Sequence, residues 1–391
     1  MTDPAKPFEK KARTMKFTRW GATAAALLLS ASLVACGGSG GGSDAALTED
    51  MLAMPAIDDS DGLVIHDEKI ADAELLAAAR GGSLTWYTAS GAESAELTAA
   101  RFEAETGVEV DMTRLPSGKL NERVLSEHGA GRLSAGVVTI TDPILAEGFA
   151  AAGVFVPYRT PTYDTLAAMD DVVWQDGEYY TVYYSAYAFA YNDMAIEQGE
   201  APAAWEDLLD PKWKGKLGVV NAGAGGTVQG LADFQERVLG QEYWAGLAAQ
   251  QPRVFDTTSV QLEALARGEI EVATVGFNST YGAESAGAPI ELVVPAKGVS
   301  GTFNMQGLTG TGAESPAAQL FMNWTMSRSG QEFAAAQGFV GARTDIDQVS
   351  TGHYQLPKAD DKSFVVYTPQ DARTRGQDIV ARWNRTFAFS G

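Results

Sequence analysis

Residues 272–284 read VATVGFNSTYGAE, an apolar run that ends in amide, hydroxyl and phenol groups at Asn278, Ser279, Thr280 and Tyr281. Ligands of open α/β sheets bind at the carboxyl ends of strands, so Asn278, Ser279 and Tyr281 are candidates for a polar wall around a solute; the plainer reading is a polar loop start. Similar groups recur where other strand patterns give way to helical ones, at Ser90-Gly91, Ser117-Gly118, Thr141-Asp142 and the run Asn221-Ala-Gly-Ala-Gly-Gly-Thr227. Free backbone N–H groups and the helix dipole at such junctions favour a phosphate, phosphonate or carboxylate. Every βα unit has one junction, so the glycine-rich run carries most weight: Gly223, Gly225 and Gly226 let backbone approach a ligand closely. Thr258, opening a later helical pattern, joins the candidate set. Tyr87, Tyr184, Tyr187 and Tyr281 offer rings for stacking or cation–π contact, and Asp142 would complement an amine. Arg114 and Lys119 add positive charge near the second junction, although isolated basic residues usually face solvent.

Catalytic constellations are weak by comparison. There is no P-loop Gly-Lys-Ser/Thr and no Ser-x-x-Lys, and the histidines, His66, His128 and His353, are widely spaced. The run Gly37-Gly38-Ser39-Gly40-Gly41 matches G-x-S-x-G, but in a Gly/Ser tract and not on a turn between strand and helix. Carboxylates are plentiful, so an acid/base pair is not excluded by motif. The expectation is a binding protein without cofactor or metal; a surface-anchored hydrolase is the remote alternative.

The elements that must position these residues begin after a leader. Lys16 and Arg19 precede WGATAAALLLSASLVAC, the charged and apolar regions of a secretory signal, too short for a comfortable membrane span. Its end, Leu33-Val34-Ala35-Cys36, resembles the bacterial lipobox, in which the cysteine is acylated and becomes the mature N-terminus. Cys36 is the single cysteine, so acylation would leave no thiol for a disulfide or for catalysis. The reading is a signal peptide over 1–35 and a lipid-anchored flexible tether over 36–71, with Met15 as an alternative start to Met1. A net charge of −21 argues against nucleic-acid binding or attraction to an anionic membrane.

From about Asp72 the 391-residue chain alternates strands and helices, enough for about two domains of ~150 residues. Strands are predicted at 83–89, 108–112, 136–141, 217–221, 270–276 and 290–295, with helices between them and at 315–327. Ser90 and Glu93 have capping-box spacing, Gly107 suits a helix C′ position, and Asp142-Pro143 an N-cap with proline at N1. The pattern is that of a parallel doubly wound sheet, interrupted after Val173 by the aromatic stretch WQDGEYYTVYYSAYAFAYN. Two α/β units of similar size with a cleft between them suit capture by hinge closure.

The segments AAARGGSLTWYTASGAE, FEAETGVEV, LPSGKLNERV, LLDPKWKGKLGVVN, SVQLEALARGEIEVA, SPAAQLFMNW and SRSGQEF, in that order, resemble the solute-binding lipoproteins of ABC importers, in particular the branch of ferric-ion, thiamine and phosphonate binders. The resemblance spans about residues 72–390 and implies a two-lobed α/β periplasmic-binding-protein fold of type II topology, with crossing segments near 186–190 and 300–304. Lobe one would be 72–187 plus 303–348, lobe two 188–302 plus 349–391. It also implies that the Asn221–Thr227 loop supports a bound anion, and that a monomer at the cell envelope delivers its solute to a permease and its ATPase. Ferric-binding members use a His, a Glu and a Tyr pair; carried over, these fall on Gly91, Thr141 and Asn278-Ser279, none of which matches. Neutral amides and hydroxyls do not replace anionic oxygen ligands for a hard cation. The expected solute is therefore an organic anion or zwitterion: a phosphonate, an organophosphate or a thiamine-like compound. Iron held by Tyr183, Tyr184 or Tyr281 is the alternative.

Overall fold

The computed structural model describes residues 53–347 and 350–390; the signal peptide, Cys36 and most of the expected tether lie outside the described residues. A three-stranded antiparallel sheet comes first, β1 (Ile57–Asp58), β2 (Leu63–Ile65) and β3 (Glu68–Ala71). Leu63 and Ile65 are fully buried, and Glu68 accepts from Arg343 Nη1 at 2.7 and 2.9 Å and from the Arg328 amide at 3.0 Å. Residues 57–71 are thus packed on the fold, which corrects the expectation of a tether running to 71. Buried side chains and a bonded carboxylate outweigh the polar composition that suggested a linker.

The α1 helix (Ala73–Arg80) leads to β4 (Ser83–Thr88), α2 (Ala92–Thr106), β5 (Glu109–Arg114), α3 (Ser117–Gly129), β6 (Val137–Ile140) and α4 (Pro143–Ala151). Here β5-β4-β6 pair in parallel, as the alternating pattern predicts. The short β7 (Val173–Trp174) precedes β8 (Tyr179–Asn192), fourteen residues whose Tyr, Val, Thr and Phe side chains suit a pleated, buried surface. Next come β9 (Leu217–Val220), α5 (Gly226–Phe234), β10 (Arg253–Phe255), α6 (Thr258–Ala266), β11 (Val272–Gly276), α7 (Phe277–Ser285), β12 (Ile290–Val293) and β13 (Val299–Leu308). The chain closes with α8 (Pro316–Thr325), α9 (Arg328–Ala336), β14 (Val340–Gly341), β15 (Phe364–Val366) and α10 (Pro369–Thr386).

All strands from β4 onward join one sheet whose main path runs β10-β9-β11-β8-β13-β6-β4-β5. The pairs β9–β10, β9–β11, β4–β5 and β4–β6 are parallel, but β8 and β13 are antiparallel to each other and to β11 and β6 respectively. These two long strands are the crossing segments, shared by both ends of the sheet. Aromatic clusters pack on each side of them. Phe102 meets Phe321 at 5.0 Å and Trp324 at 5.5 Å, while Trp205 lies 5.2 Å from Phe189 and 5.5 Å from Phe234.

Candidate functional site

A cavity of about 250 Å³ opens beside β13 and the end of β6, between helices from the two halves of the chain. One wall is the β6–α4 junction, with Thr141, Asp142, Pro143 and Ile144; the other is the start of α5, with Gly226 and Gln229, and the face of α10 that carries Ala372, Gly376 and Gln377. Thr302 of β13 and Tyr367, just past β15, also line it.

The first wall is set by a cap. Asp142 Oδ1 accepts from the amides of Ile144 at 2.9 Å and Leu145 at 3.4 Å, and Pro143 supplies the helical φ of the first turn. Thr141 Oγ1 is 2.8 Å from Ser117 Oγ, so the second and third junctions share one hydrogen bond. The other wall has no such cap. Gly225, extended at φ 166°, precedes α5 without any side-chain acceptor, and no atom lies within 4 Å of a Cβ built on Gly225 or Gly226. The leading N–H groups of α5 are therefore available to a negatively charged group.

Ion pairs hold α10 against α5 and the turn that follows it: Arg375 reaches the buried Asp233 at 2.8 Å and Arg382 reaches Glu236 at 2.7 Å, while Arg237 pairs with Asp233 at 3.1 Å within its own helical stretch. Arg373 of α10 pairs with Glu147 of α4, joining the two walls. Tyr367 is 4% exposed, and its hydroxyl has no hydrogen-bond partner among the described residues. Burial first, then nearby carboxylates including Asp233, Asp371 and Asp142, push this phenol up to about 12, so it remains a donor at neutral pH. A Cβ at Gly376 would sit 3.1 Å from Tyr367 Oη and 3.3 Å from Gln229 Oε1. Glycine at 376 leaves that space to the cavity.

Of the residues singled out in the sequence, Thr141, Asp142 and Gly226 line the cavity, Ser117 supports Thr141, and Gly225 precedes α5. Asn221 stands before the loop with its amide 3.5 Å from Phe255 O, and Gly223 packs near Asn221 Oδ1 and Val380. Thr258 is the first residue of α6, half-buried, and Thr257 caps that helix.

Others lie elsewhere. The expected capping box at Ser90 does not form: Gly91 is the N-cap, and Ser90 Oγ pairs instead with Tyr183 Oη at 3.1 Å. Tyr87 points to α3, where its hydroxyl meets Arg123 Nη2 at 2.7 Å, and to Ser134 Oγ beyond that helix at 2.9 Å. Tyr184 is buried against Phe303 and Phe364. Asn278, Ser279 and Tyr281 belong to α7, which starts immediately after the strand, and none lines the cavity. Ser279 and Thr280 turn their hydroxyls back to Gly276 O, and Tyr281 packs edge-on to Tyr354. Arg114 donates to Ser90 O, and Lys119 pairs with Glu122.

Sequence reading missed Gln229, Thr302, Tyr367, Gly376 and Gln377. Two signals pointed to the C-terminal group: Thr368 to Asp371 forms a capping box after a short apolar run, and Gly376 interrupts an otherwise regular helix.

Comparison with known proteins places this geometry. Residues 98–360 match the family model described as bacterial extracellular solute-binding protein. The chain belongs to that family. A periplasmic protein of Salmonella typhimurium named for 2-aminoethylphosphonate binding is 24% identical over 297 residues, covering 73% of this chain and 85% of that relative. Among solved structures, AfuA of Actinobacillus pleuropneumoniae with bound fructose-6-phosphate is 21% identical with a TM-score of 0.60, over 79% of this chain and 99% of that one. Iron-bound HitA of Pseudomonas aeruginosa is 19% identical with a TM-score of 0.58, over 78% and 99% of the respective chains. This extracellular solute-binding protein therefore has the mixed α/β fold of type II periplasmic binding proteins, with a curled sheet. It is the solute-binding component of an ABC-type import system and works outside the cytoplasm. Family and fold are those of binding proteins rather than enzymes.

Proposed function

We propose that this protein captures a small organic anion or zwitterion in the cavity between α4 and α5 and delivers it to a membrane permease driven by an ATPase. The observation that carries the reading is the pairing of an uncapped helix N-terminus at Gly226 with the Asp142 carboxylate in one small cavity. A phosphonate or phosphate would take the α5 amides and the Tyr367 hydroxyl, and an amine would take Asp142. A two-carbon aminophosphonate is compact enough for a cavity of about 250 Å³. The Salmonella relative named for 2-aminoethylphosphonate supports the same class.

Iron held by Tyr183, Tyr184 or Tyr281 is less well supported. None of the three lines the cavity, and burial pushes the phenols of Tyr183 and Tyr184 up, against the anionic form that ferric iron requires. The lobes are read as 72–187 with 303–348 and 188–302 with 349–391, closing on the solute so that the permease meets the closed population. A lipid on Cys36 would hold the protein, as a monomer, at the membrane surface.

The test is a thermal-shift screen of the full-length protein with 2-aminoethylphosphonate, fructose 6-phosphate, thiamine phosphate and ferric citrate. Stabilisation by the aminophosphonate supports the reading. Stabilisation by ferric citrate alone, with a visible tyrosinate-to-iron absorbance, overturns it.

A further inference from the structure

A second group of chemically competent side chains lies away from the cavity. Glu284 of α7, Glu291 of β12 and His353, in the segment before β15, each present a ligand atom, all within 4.8 Å of one another. Glu284 and Glu291 lie on consecutive elements seven residues apart, and the fold brings His353 to them from 62 positions beyond Glu291. The geometry points to a site for one divalent transition-metal ion, zinc by ligand type, that clips the 351–354 segment to α7 and β12.

The neighbours of these atoms favour this. His353 Nε2 is 3.0 Å from Glu291 Oε1, and its ring packs 4.0 Å from that of Tyr354. Tyr354 Oη donates between both Glu284 oxygens at 3.0 Å and accepts from the Leu292 amide at 3.0 Å, which fixes the half-buried carboxylate in place. Among the described residues, no ion pair from Lys or Arg reaches Glu284 or Glu291, and the group in contact with Glu291 is the His353 imidazole. Two carboxylates drawn together without a fixed cation gain from a divalent ion. One imidazole and two carboxylates form a ligand set of the kind zinc takes, with a water completing the tetrahedron. Donors ~2.1 Å from zinc at tetrahedral angles stand about 3.4 Å apart, so small side-chain rotations close the set. Magnesium, which prefers oxygen ligands alone, suits it less.

The consequence concerns the solute site as well. The chain from Tyr354 continues to Tyr367 and α10, which form part of the cavity wall. An ion at 284, 291 and 353 would restrain the start of that segment.

The experiment is calorimetric titration of the metal-stripped full-length protein with zinc chloride, alongside His353→Ala and Glu291→Gln. Both positions are at the surface or partly exposed, and melting curves check that the variants fold. The expected result is one zinc per chain with micromolar affinity, a rise in melting temperature, a loss of at least thirtyfold in each variant, and no rise with magnesium. Absence of zinc binding in the unmodified protein overturns the assignment. So does binding that both variants retain, which would place the ion elsewhere.

Discussion

Two helix N-termini meet the same cavity and are finished in opposite ways. At α4 the Asp142 carboxylate closes the helix, accepting two of its amides. At α5 a glycine stands in that position and the amides are left open. A capped terminus presents negative charge, and an uncapped one presents partial positive charge. The same junction type thus yields two complementary poles, set by one residue in each. The β11–α7 junction is uncapped as well, since Ser279 and Thr280 donate their hydroxyls to Gly276 O and leave the leading amides of α7 open, but it does not line the cavity.

The largest test of this contrast makes the termini alike. Gly225→Asp gives α5 the cap of α4, and the new Cβ stands in open space. Anion affinity should fall at least a hundredfold by titration calorimetry, while the fold is unchanged or gains up to ~1 kcal/mol in denaturant melts. Asp142→Asn keeps an acceptor for the Ile144 amide but removes the charge. An aminophosphonate should bind about ten- to a hundredfold more weakly, and an alkylphosphonate lacking the amine should bind no worse. Competition between the two compounds reads this directly.

Tyr367→Phe should separate binding from stability. A neutral hydrogen bond to solute contributes about 0.5–1.5 kcal/mol, so affinity should drop about three- to tenfold. The solute-free protein should melt at the same or a higher temperature, because the variant removes a buried hydroxyl that has no partner among the described residues. Asn278→Ala is the smallest case. Equilibrium binding should change by less than about twofold, since Asn278 does not line the cavity. A tenfold loss would restore the β11–α7 junction to the site.

The legible parts of the fold and the site were local. Asp142-Pro143 announces a cap and proline at N1, and the glycine run before α5 announces close backbone approach; both lie at the cavity. Strand β8 was recognisable as an aromatic stretch, but its antiparallel pairing with β13 joins residues more than a hundred positions apart, which periodicity does not encode. A separation of 93 positions likewise explains Ser90, whose hydroxyl goes to Tyr183 on β8. For Tyr87, strand alternation leaves two faces open, and only the packing of α3 with Arg123 decides between them. Gly376 was readable as a costly residue in a helix, yet its purpose depends on Tyr367 and Gln229 standing opposite.

The central claim is that the open α5 terminus and Asp142 together hold a small zwitterion. It is tested most directly by calorimetric titration of the full-length protein and of Gly225→Asp with 2-aminoethylphosphonate. The account predicts one binding site of micromolar or better affinity in the unmodified protein and none measurable in the variant. Equal binding by both would contradict it.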